Sequence, residues 1–336
     1  MAGFTFSEAN GVGDSIFKDY QAAIQGFILK QAEAFEAKSA LNLIFKNVKT
    51  TGFAKKYTGL VGDEGLYPVG ENGNHPHGSM REGFSKIVEH DIWKGKMTIS
   101  REMIDDDNTG AMEDEAVRMM TGYGRTKEMY GAAMLGGAIK QAKSIKFRGW
   151  DFDTTTADDM PLFAKAHKSV MGKNTQSNLF ADAFSNDALM AAECAMQDFR
   201  DDAGNLLTVA PTTIIIPNDY QLKKDVFAAI GADKDPNTAN NGFNYNFGRW
   251  NVIVWQYLNQ FIDKGSKPWM LFDKDYSDTY NGLVWQTRID AEIKSYVDNE
   301  TDANVWNMYA RFRAAFTDWR CIAVGGISGG DTLIGA

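Results

Sequence analysis

The segment from residue 49 to residue 100 constrains the fold more than any other part of the chain. Two strand-like limbs, Thr50–Tyr67 and Ser79–Ser100, flank the glycine-rich polar sequence Pro68–Gly78. This pattern predicts a long β-hairpin, whose limbs of about fifteen residues would reach roughly 50 Å at ~3.3 Å per residue. A two-stranded ribbon with little apolar surface of its own is marginally stable in water. The hairpin therefore needs another surface on which to lie.

The composition is that of a globular protein without a membrane-spanning segment. Of the 336 residues, 44% are hydrophobic and 24% are charged, which excludes wholesale disorder and is consistent with about two domains. The net charge of −9 disfavours a protein that grips nucleic acid over a large cationic surface. No apolar run approaches the ~18 to 20 residues that span a bilayer, and the N-terminus lacks the pattern of a secretory signal. Two cysteines, Cys194 and Cys321, are too few for a disulfide framework.

The periodicity of apolar residues predicts the other elements and an α+β fold class. Helices are predicted at Asp14–Phe45, Ala111–Lys146, Asn186–Asp201 and Pro217–Ile230, and Ser185 or Asn186 is expected to cap the third. Strands are predicted at Leu206–Val209, Thr212–Ile216, Asn251–Tyr257, Pro268–Phe272, Asn307–Phe316 and Trp319–Val324. Residues 1–13 are expected to form an extended arm, and residues 147–184 to be loops. Helices and strands are mixed without a βαβ rhythm, and apolar and polar side chains alternate strictly in Asn307–Phe316.

Two short motifs imitate catalytic sites but lack the partners that catalysis needs. Gly326–Gly330 (GISGG) matches the nucleophile pattern of α/β-hydrolases, in which the acid and the histidine follow the serine. All four histidines of this chain precede Ser328, so a flexible glycine-rich turn is the favoured interpretation. Asp151–Thr155 (DFDTT) resembles the motif of aspartate-nucleophile phosphatases, but the residues before it are cationic and follow a helix. A solvated loop is the favoured interpretation there.

Two further segments resemble metal sites incompletely. Asp105–Ala116 matches a calcium-binding EF-hand loop at three positions, but Ala116 occupies the position of the bidentate glutamate. Acidic residues just before a helix are also favoured by the helix dipole. His75 and His77 have no nearby cysteine or histidine that would complete a set of ligands. The sequence therefore predicts no catalytic, cofactor or metal site.

The order of these elements resembles the major capsid proteins of tailed phages with the HK97-like fold, and within that group the Mu-type major head subunits. A helical N-terminal arm, a long two-stranded loop, a long helix, a mixed domain and return strands follow one another in both. The resemblance covers roughly residues 40–325. Four segments carry it, and they are Ile99–Asp107, Met160–Phe180, Val209–Pro217 and Trp306–Val324.

The resemblance implies both an architecture and a function. The implied parts are an N-terminal arm (1–48), an extended loop (49–100), a peripheral domain with a spine helix (101–146 and 286–317), an interface loop (147–183) and an axial domain (184–285 and 318–332). The implied function is structural and not enzymatic. Copies of the chain self-assemble into an icosahedral shell that encloses phage double-stranded DNA. An encapsulin-like nanocompartment shell and an enzyme of unrecognised chemistry are the alternatives.

The resemblance also implies partners and a location. Many copies join as pentamers and hexamers in the virion after assembly in the cytoplasm of the bacterial host, with a portal and a decoration protein. Because the chain begins at Met1 without the scaffolding segment of many relatives, a separate scaffold is expected. DNA is held without sequence specificity, and no membrane is involved. The residues expected at contacts between subunits are Lys55, Lys56, Tyr57, Glu64, Arg81, Arg101, Asp105, Asp106, Arg311 and Arg313.

Overall fold

The computed structural model describes residues 4–8, 39–61, 66, 68–71, 74, 81–102, 106, 109–171, 175–231 and 244–334, with only the backbone described for 4–8, 60, 61, 81 and 109–116. Its helices are α1 (Leu41–Ile44), α2 (Thr109–Ile139), α3 (Asn186–Gln197), α4 (Tyr220–Gly231) and α5 (Lys274–Tyr280), with a 3₁₀ helix at Gln256–Gln260. Its strands are β1 (Phe4–Glu8), β2 (Lys46–Lys49), β3 (Ala54–Val61), β4 (Arg81–Glu89), β5 (Asp91–Ile99), β6 (Ser144–Phe147), β7 (Trp150–Asp153), β8 (His167–Lys168), β9 (Thr175–Gln176), β10 (Thr213–Pro217), β11 (Asn251–Trp255), β12 (Trp269–Phe272), β13 (Leu283–Asp298), β14 (Ala303–Phe316) and β15 (Ile322–Gly325). This mixture of helices and sheets confirms the predicted α+β class.

A five-stranded sheet is built around the antiparallel pair β13 and β14. Strand β5 pairs antiparallel with β14. The other edge of β13 pairs in parallel with β2 and, farther along, with β1. The alternation predicted for Asn307–Phe316 is confirmed, because the apolar side chains from Met308 onward are buried and Asn307 is exposed. This sheet therefore has one core face and one opposite face.

The long helix α2 packs on the core face of the five-stranded sheet. Tyr130 of this helix is fully buried, and its ring centroid lies 5.2 Å from that of Trp93 and 5.7 Å from that of Trp285. Trp93 in turn stacks on Phe312 at 4.9 Å. Aromatic pairs at such distances add to the free energy gained from burial. The cluster fixes α2 to β5, β13 and β14 at once.

Helix α2 ends at Ile139 rather than at the predicted Lys146. The physical reason is Gln141, whose φ of 55° is the left-handed conformation that commonly ends a helix. The next residues form the antiparallel hairpin β6–β7 instead of helix and loop. Its turn, Arg148 and Gly149, has φ of 51° and 88°, as a two-residue turn between twisted strands requires.

A second sheet of four strands has the order β11, β10, β12, β15. Every residue of β10 is buried, as its continuous apolar sequence predicts for a central strand. The expected cap of α3 is confirmed, because the Ser185 side chain accepts a hydrogen bond from the Ala188 N–H at 3.0 Å. Helix α3 ends at Gln197 and not at the predicted Asp201. Pro217 is the last residue of β10 and not, as predicted, the first residue of α4.

Two of the strand predictions are wrong. The limb Ser79–Ser100 breaks at His90 into β4, which pairs with β3, and β5, which pairs with β14. Burial explains the separation, because Met97 gives β5 a buried apolar side that binds it to the larger sheet. The predicted strand Leu206–Val209 is replaced by an irregular segment with a single bridge from Leu206 to Arg200.

The N-terminal predictions are only partly covered by the structure. Most of the predicted helix Asp14–Phe45 lies outside the described residues, and its last turn is α1. Strand β1 lies within the predicted extended arm and pairs with β13 from Phe4 opposite Ala291 to Glu8 opposite Ser295.

Candidate assembly surfaces

The root of the β3–β4 hairpin is buried in its own subunit. Tyr57 is only 7% exposed and packs with Val88 against Val284 and Ala315 of the five-stranded sheet. Its hydroxyl donates a hydrogen bond to Gln286 Oε1 at 3.1 Å, and burial raises the pKa of Tyr57 to about 12. The structure therefore places Tyr57, expected at a contact between subunits, in an interior of its own chain.

Gln286 connects this root to the break between β4 and β5. Its side-chain amide is fully buried, donates to the Val88 carbonyl at 3.2 Å and lies 3.0 Å from His90 Nε2. Thr50 Oγ1 lies 2.7 Å from the same Nε2 atom, so the His90 ring contacts both side chains. Burial, followed by two nearby arginines, lowers the pKa of His90. The neutral ring of His90 therefore stabilises the break between β4 and β5, where the hairpin leaves the five-stranded sheet.

A second anchor of the hairpin joins β4 to the end of β7 and to the residues that follow it. Lys86 Nζ lies 2.8 Å from Asp153 Oδ2 and also donates to the Thr155 carbonyl. The Asp153 carboxylate accepts further hydrogen bonds from the N–H and the hydroxyl of Thr155, at 2.8 and 2.7 Å. Burial opposes the charge of Asp153, but Lys86 and Thr155 outweigh burial and lower its pKa. The phosphatase-like motif, predicted to be a solvated loop, is thus a structural tether.

Beyond its root, the hairpin exposes charged and apolar side chains. Lys56 and Glu82 form a 3.7 Å ion pair in which both side chains are more than half exposed, and such pairs contribute only ~0 to 1 kcal/mol. Lys55 Nζ lies 5.0 Å from the centroid of the Tyr57 ring. Farther out, Leu66 is fully exposed. An apolar side chain in that position gains nothing from its own subunit and is available to another molecule.

Three of the residues expected at subunit contacts are described in part or not at all. Glu64 and Asp105 lie outside the described residues, and only the backbone of Arg81 is described, opposite Val61. Asp106 is exposed. Their contacts with other subunits stay predictions.

Three predicted arginines lie on the five-stranded sheet or at its end. Arg101 pairs with Asp302 at 3.4 Å, and both side chains are exposed. Arg313 Nη1 lies 3.5 Å from Asp91 Oδ1. Arg311 buries its Nε without a hydrogen-bond partner in the part of the chain that the structure describes. Arg311 and Arg313 are two residues apart on β14, so both lie on the face opposite the core.

The nucleophile-like motif near the C-terminus forms a packed turn and not the expected flexible one. Ser328 is exposed, but Ile327 is buried and its N–H donates to the Phe180 carbonyl at 3.2 Å. Gly330 lies so close to the backbone of Phe180 and Ala181 that an added methyl group would overlap both. The glycine at this position therefore serves close packing.

Within the described ranges, no three His, Cys, Asp or Glu side chains are grouped as a metal ion would need. His75, His77 and most side chains of Asp105–Ala116 lie outside those ranges. None of the described helices combines the length and the apolar composition that crossing a membrane requires.

One family model matches most of the chain. It is described as phage capsid protein and covers residues 84–325, from within β4 to the end of β15. The chain belongs to the phage capsid protein family. This capsid protein is a structural component of the virion shell, which is assembled from many copies of it. The resemblance to tailed-phage major capsid proteins noted in the sequence is confirmed.

Three solved structures are reported for their similarity to this chain. The capsid of cyanophage P-SCSP1u is 10% identical, with a TM-score of 0.50 over 84% of this chain and 85% of that one, and the HK97-like fold is thereby confirmed. A chain of Microbacterium phage Oxtober96 is 11% identical, with a TM-score of 0.49 over 85% and 90% of the two chains. A virus-like particle from Pyrococcus furiosus is 10% identical, with a TM-score of 0.48 over 91% and 98%. Among curated proteins, none matches the capsid protein.

The family match favours a phage shell over the nanocompartment alternative. The sequence did not point to the residues that anchor the hairpin of this capsid protein, because Lys86, Asp153 and Gln286 meet only in the folded chain. One signal was present, since Gln286 follows the apolar run Leu283–Trp285 and is the polar residue that such a buried strand isolates. A buried amide requires hydrogen-bond partners, and the root of the hairpin provides them.

Proposed function

We propose that this capsid protein self-assembles into an icosahedral shell that encloses phage double-stranded DNA, with pentamers and hexamers as its units. The hairpin is the observation that carries the proposal. Its root is buried at Tyr57, whereas Leu66 is fully exposed. A projection that is fixed at one end and unsupported at the other fits a contact with a neighbouring copy. Repeated contacts of this head-to-tail kind generate closed rings.

The proposal divides the chain by role. Within the extended loop, β3 and β4 form a two-stranded sheet of their own, since β5 belongs to the five-stranded sheet. The proposed parts are the N-terminal arm (1–48), the extended loop (49–100), the peripheral domain (101–146 and 286–317), the interface loop (147–183) and the axial domain (184–285 and 318–332).

Assembly is tested on the purified protein, alone and with a scaffold protein. Closed shells or capsomer-sized oligomers are expected in electron micrographs and in light scattering. A protein that stays monomeric at high concentration, even with its scaffold supplied, would contradict the proposal.

The proposed contact with packaged DNA has no sequence specificity. A net charge of −9 leaves only a weak, salt-dependent attraction to phosphate, and weak attraction allows DNA to be packed and released. A separate scaffold, a portal and a decoration protein complete the proposed partners, and assembly takes place in the host cytoplasm. Anisotropy measurements with several short duplexes at physiological salt should give equally weak binding. A nanomolar preference for one duplex would contradict this part of the proposal.

A further inference from the structure

Among the residues that the structure describes, the face of the five-stranded sheet opposite α2 is covered at one end only. The hairpin root covers it where Tyr57 and Val88 pack on Val284 and Ala315. Farther along β5 the same face is open, and Ile92 at its start is 57% exposed. Apolar and polar side chains on this part of the sheet are therefore accessible to a second molecule.

Two rows of side chains line a shallow cavity of about 570 Å³ on this open part. Each row crosses β5, β14 and β13, because residues directly opposite one another in adjacent strands share a face. The first row is Lys94, Tyr309 and Glu292, and the second is Lys96, Asn307 and Lys294.

The open part is cationic on a chain whose net charge is −9. We define the basic face by its charged residues, Lys94, Lys96, Lys294, Arg311 and Glu292. Its one internal ion pair is Lys294 with Glu292, at 3.1 Å. Lys94 and Lys96 are exposed and pair with no carboxylate among the described side chains. The surface therefore carries uncompensated positive charge that a carboxylate-bearing partner would neutralise.

Charge also decides how two copies can meet on this face. Two basic faces repel each other, and like charges placed opposite one another across an interface suppress binding. A symmetric contact of the face with itself is therefore disfavoured. A second copy must instead present a different, acidic surface, which makes the contact heterologous and suited to a ring.

The described chain offers such a surface at the acidic turn, Asp298–Asp302, between β13 and β14. Three of its five residues are carboxylates, and Arg101 offsets one of them through its 3.4 Å pair with Asp302. Asn299 and Glu300 are exposed. Lys96 lies opposite Asn307, five residues from the turn, or roughly 17 Å at ~3.3 Å per residue. The turn continues the strands away from its own basic face, so it does not cover that face.

We infer that the basic face of one copy receives the acidic turn of a neighbouring copy in the shell. The inference rests on the proposed function, because it assigns one of the contacts by which copies assemble. It commits the face to a second copy of this chain and not to DNA or another protein.

Two variants with reversed charge test the contact. One reverses the face (Lys94→Glu with Lys96→Glu), and the other reverses the turn (Asn299→Lys with Glu300→Lys). Asp298 is left in place because its carboxylate accepts the Glu300 N–H at 3.1 Å and shapes the turn. The control, Lys143→Glu with Lys146→Glu, makes the same change in charge at exposed residues elsewhere. Shell yield is measured by light scattering and electron microscopy, and folding by thermal unfolding.

Each reversal alone should raise the protein concentration needed for assembly by about tenfold or more, because a weak pairwise repulsion recurs at every contact. Combining both reversals in one chain should restore assembly, since every reversed face then meets a reversed turn. The control should assemble as the parent does. Melting temperatures should stay equal, and a milder pair, Lys94→Gln with Lys96→Gln, replaces the face variant if it unfolds.

Other outcomes would overturn the inference while the proposed function stands. These are normal assembly of the face variant, failure of the chain with both reversals to assemble, rescue by reversing Asp63, Glu64 and Glu71 instead of the turn, or normal empty shells that lose only DNA. A parent protein that never assembles would count against the proposed function itself.

Discussion

Lys86 Nζ and Asp153 Oδ2 lie 2.8 Å apart, with side chains that are 12% and 43% exposed. On the same hairpin, Lys56 and Glu82 lie 3.7 Å apart with side chains that are 52% and 76% exposed. Each pair joins a lysine to a carboxylate, but only in the first pair is the lysine side chain largely buried. They therefore form a matched comparison between the root of the hairpin and its exposed limb.

We expect Asp153→Asn to lower the free energy of unfolding by about 1 to 3 kcal/mol, because the buried Lys86 ammonium loses its charged partner. Glu82→Gln should lower it by about 0.5 kcal/mol or less, since exposed pairs are screened by water. Urea unfolding followed by tryptophan fluorescence measures both. Equal losses for the two variants would show that the Lys86 pair is no anchor.

The pH dependence of stability should report on His90. Burial and the nearby Arg311 and Arg288 hold the pKa of folded His90 below its ordinary value, so the unfolded chain takes up the proton more readily. The stability that neutral His90 provides is complete above its unfolded pKa of ~6.5 and is lost as the pH falls below that value. Asp91, whose pKa burial raises, titrates in parent and variant alike.

Thermal unfolding of the parent and of His90→Gln from about pH 8 to about pH 5 measures this effect. The stability advantage of the parent should shrink as the pH falls, because a protonated ring is a buried positive charge close to Arg311 and Arg288. An advantage that stays constant over this range would exclude His90 as the titrating group.

Shortening the hairpin should separate folding from assembly. Joining Leu60 to Glu82, which lie opposite each other, by an Asn–Gly turn keeps the root and removes the tip. This variant should unfold like the parent but fail to form stable shells. Replacing Tyr57–Glu82 by a turn also removes the buried Tyr57, and should cost about 3 kcal/mol or more of folding free energy.

Calorimetry of both deletions beside particle yield provides the measurement. The longer deletion should destabilise the monomer more than the shorter one, because only the longer one removes the buried Tyr57. If the shorter deletion also unfolds the subunit, the tip belongs to the folded core and the proposed role of the loop fails.

The Gly326–Gly330 turn should be sensitive to shape and insensitive to the serine hydroxyl. Ser328→Ala should change neither particle yield nor stability beyond about 0.5 kcal/mol, because the side chain is exposed. Gly330→Ala should destabilise by about 1 to 3 kcal/mol, since its methyl group would overlap the backbone of Phe180. A loss of shells with Ser328→Ala alone would reopen a chemical role for the serine.

Local sequence patterns correctly predicted the secondary-structure features that depend on residues close together in the sequence. The alternation from Asn307 to Phe316 reflects one buried face, the apolar run of β10 reflects a central strand, and Ser185 caps the helix that follows it. In each case the residues that determine the structure lie within the element itself, so the sequence was sufficient.

The predictions from sequence were wrong or incomplete where residues distant in the sequence determine the structure. The limb 79–100 alternates in places and was predicted as one strand, yet it breaks at His90, where Gln286 and Thr50 contact the ring. The end of α2 depends on the left-handed Gln141, a residue that carries no strong signal for that conformation. The packing of Tyr57 within its own chain was likewise not predicted, since only the folded sheet brings Val284 beneath it.

The two anchors of the hairpin also have a mechanical consequence. Strands β3 and β4 leave the subunit side by side, so a pull on the tip stretches both strands along their length and does not separate them. One attachment is on each strand, through the Tyr57 hydroxyl on β3 and the Lys86 ammonium on β4. The pulling force is therefore shared by these two contacts. Both must break before the hairpin separates from the rest of the subunit.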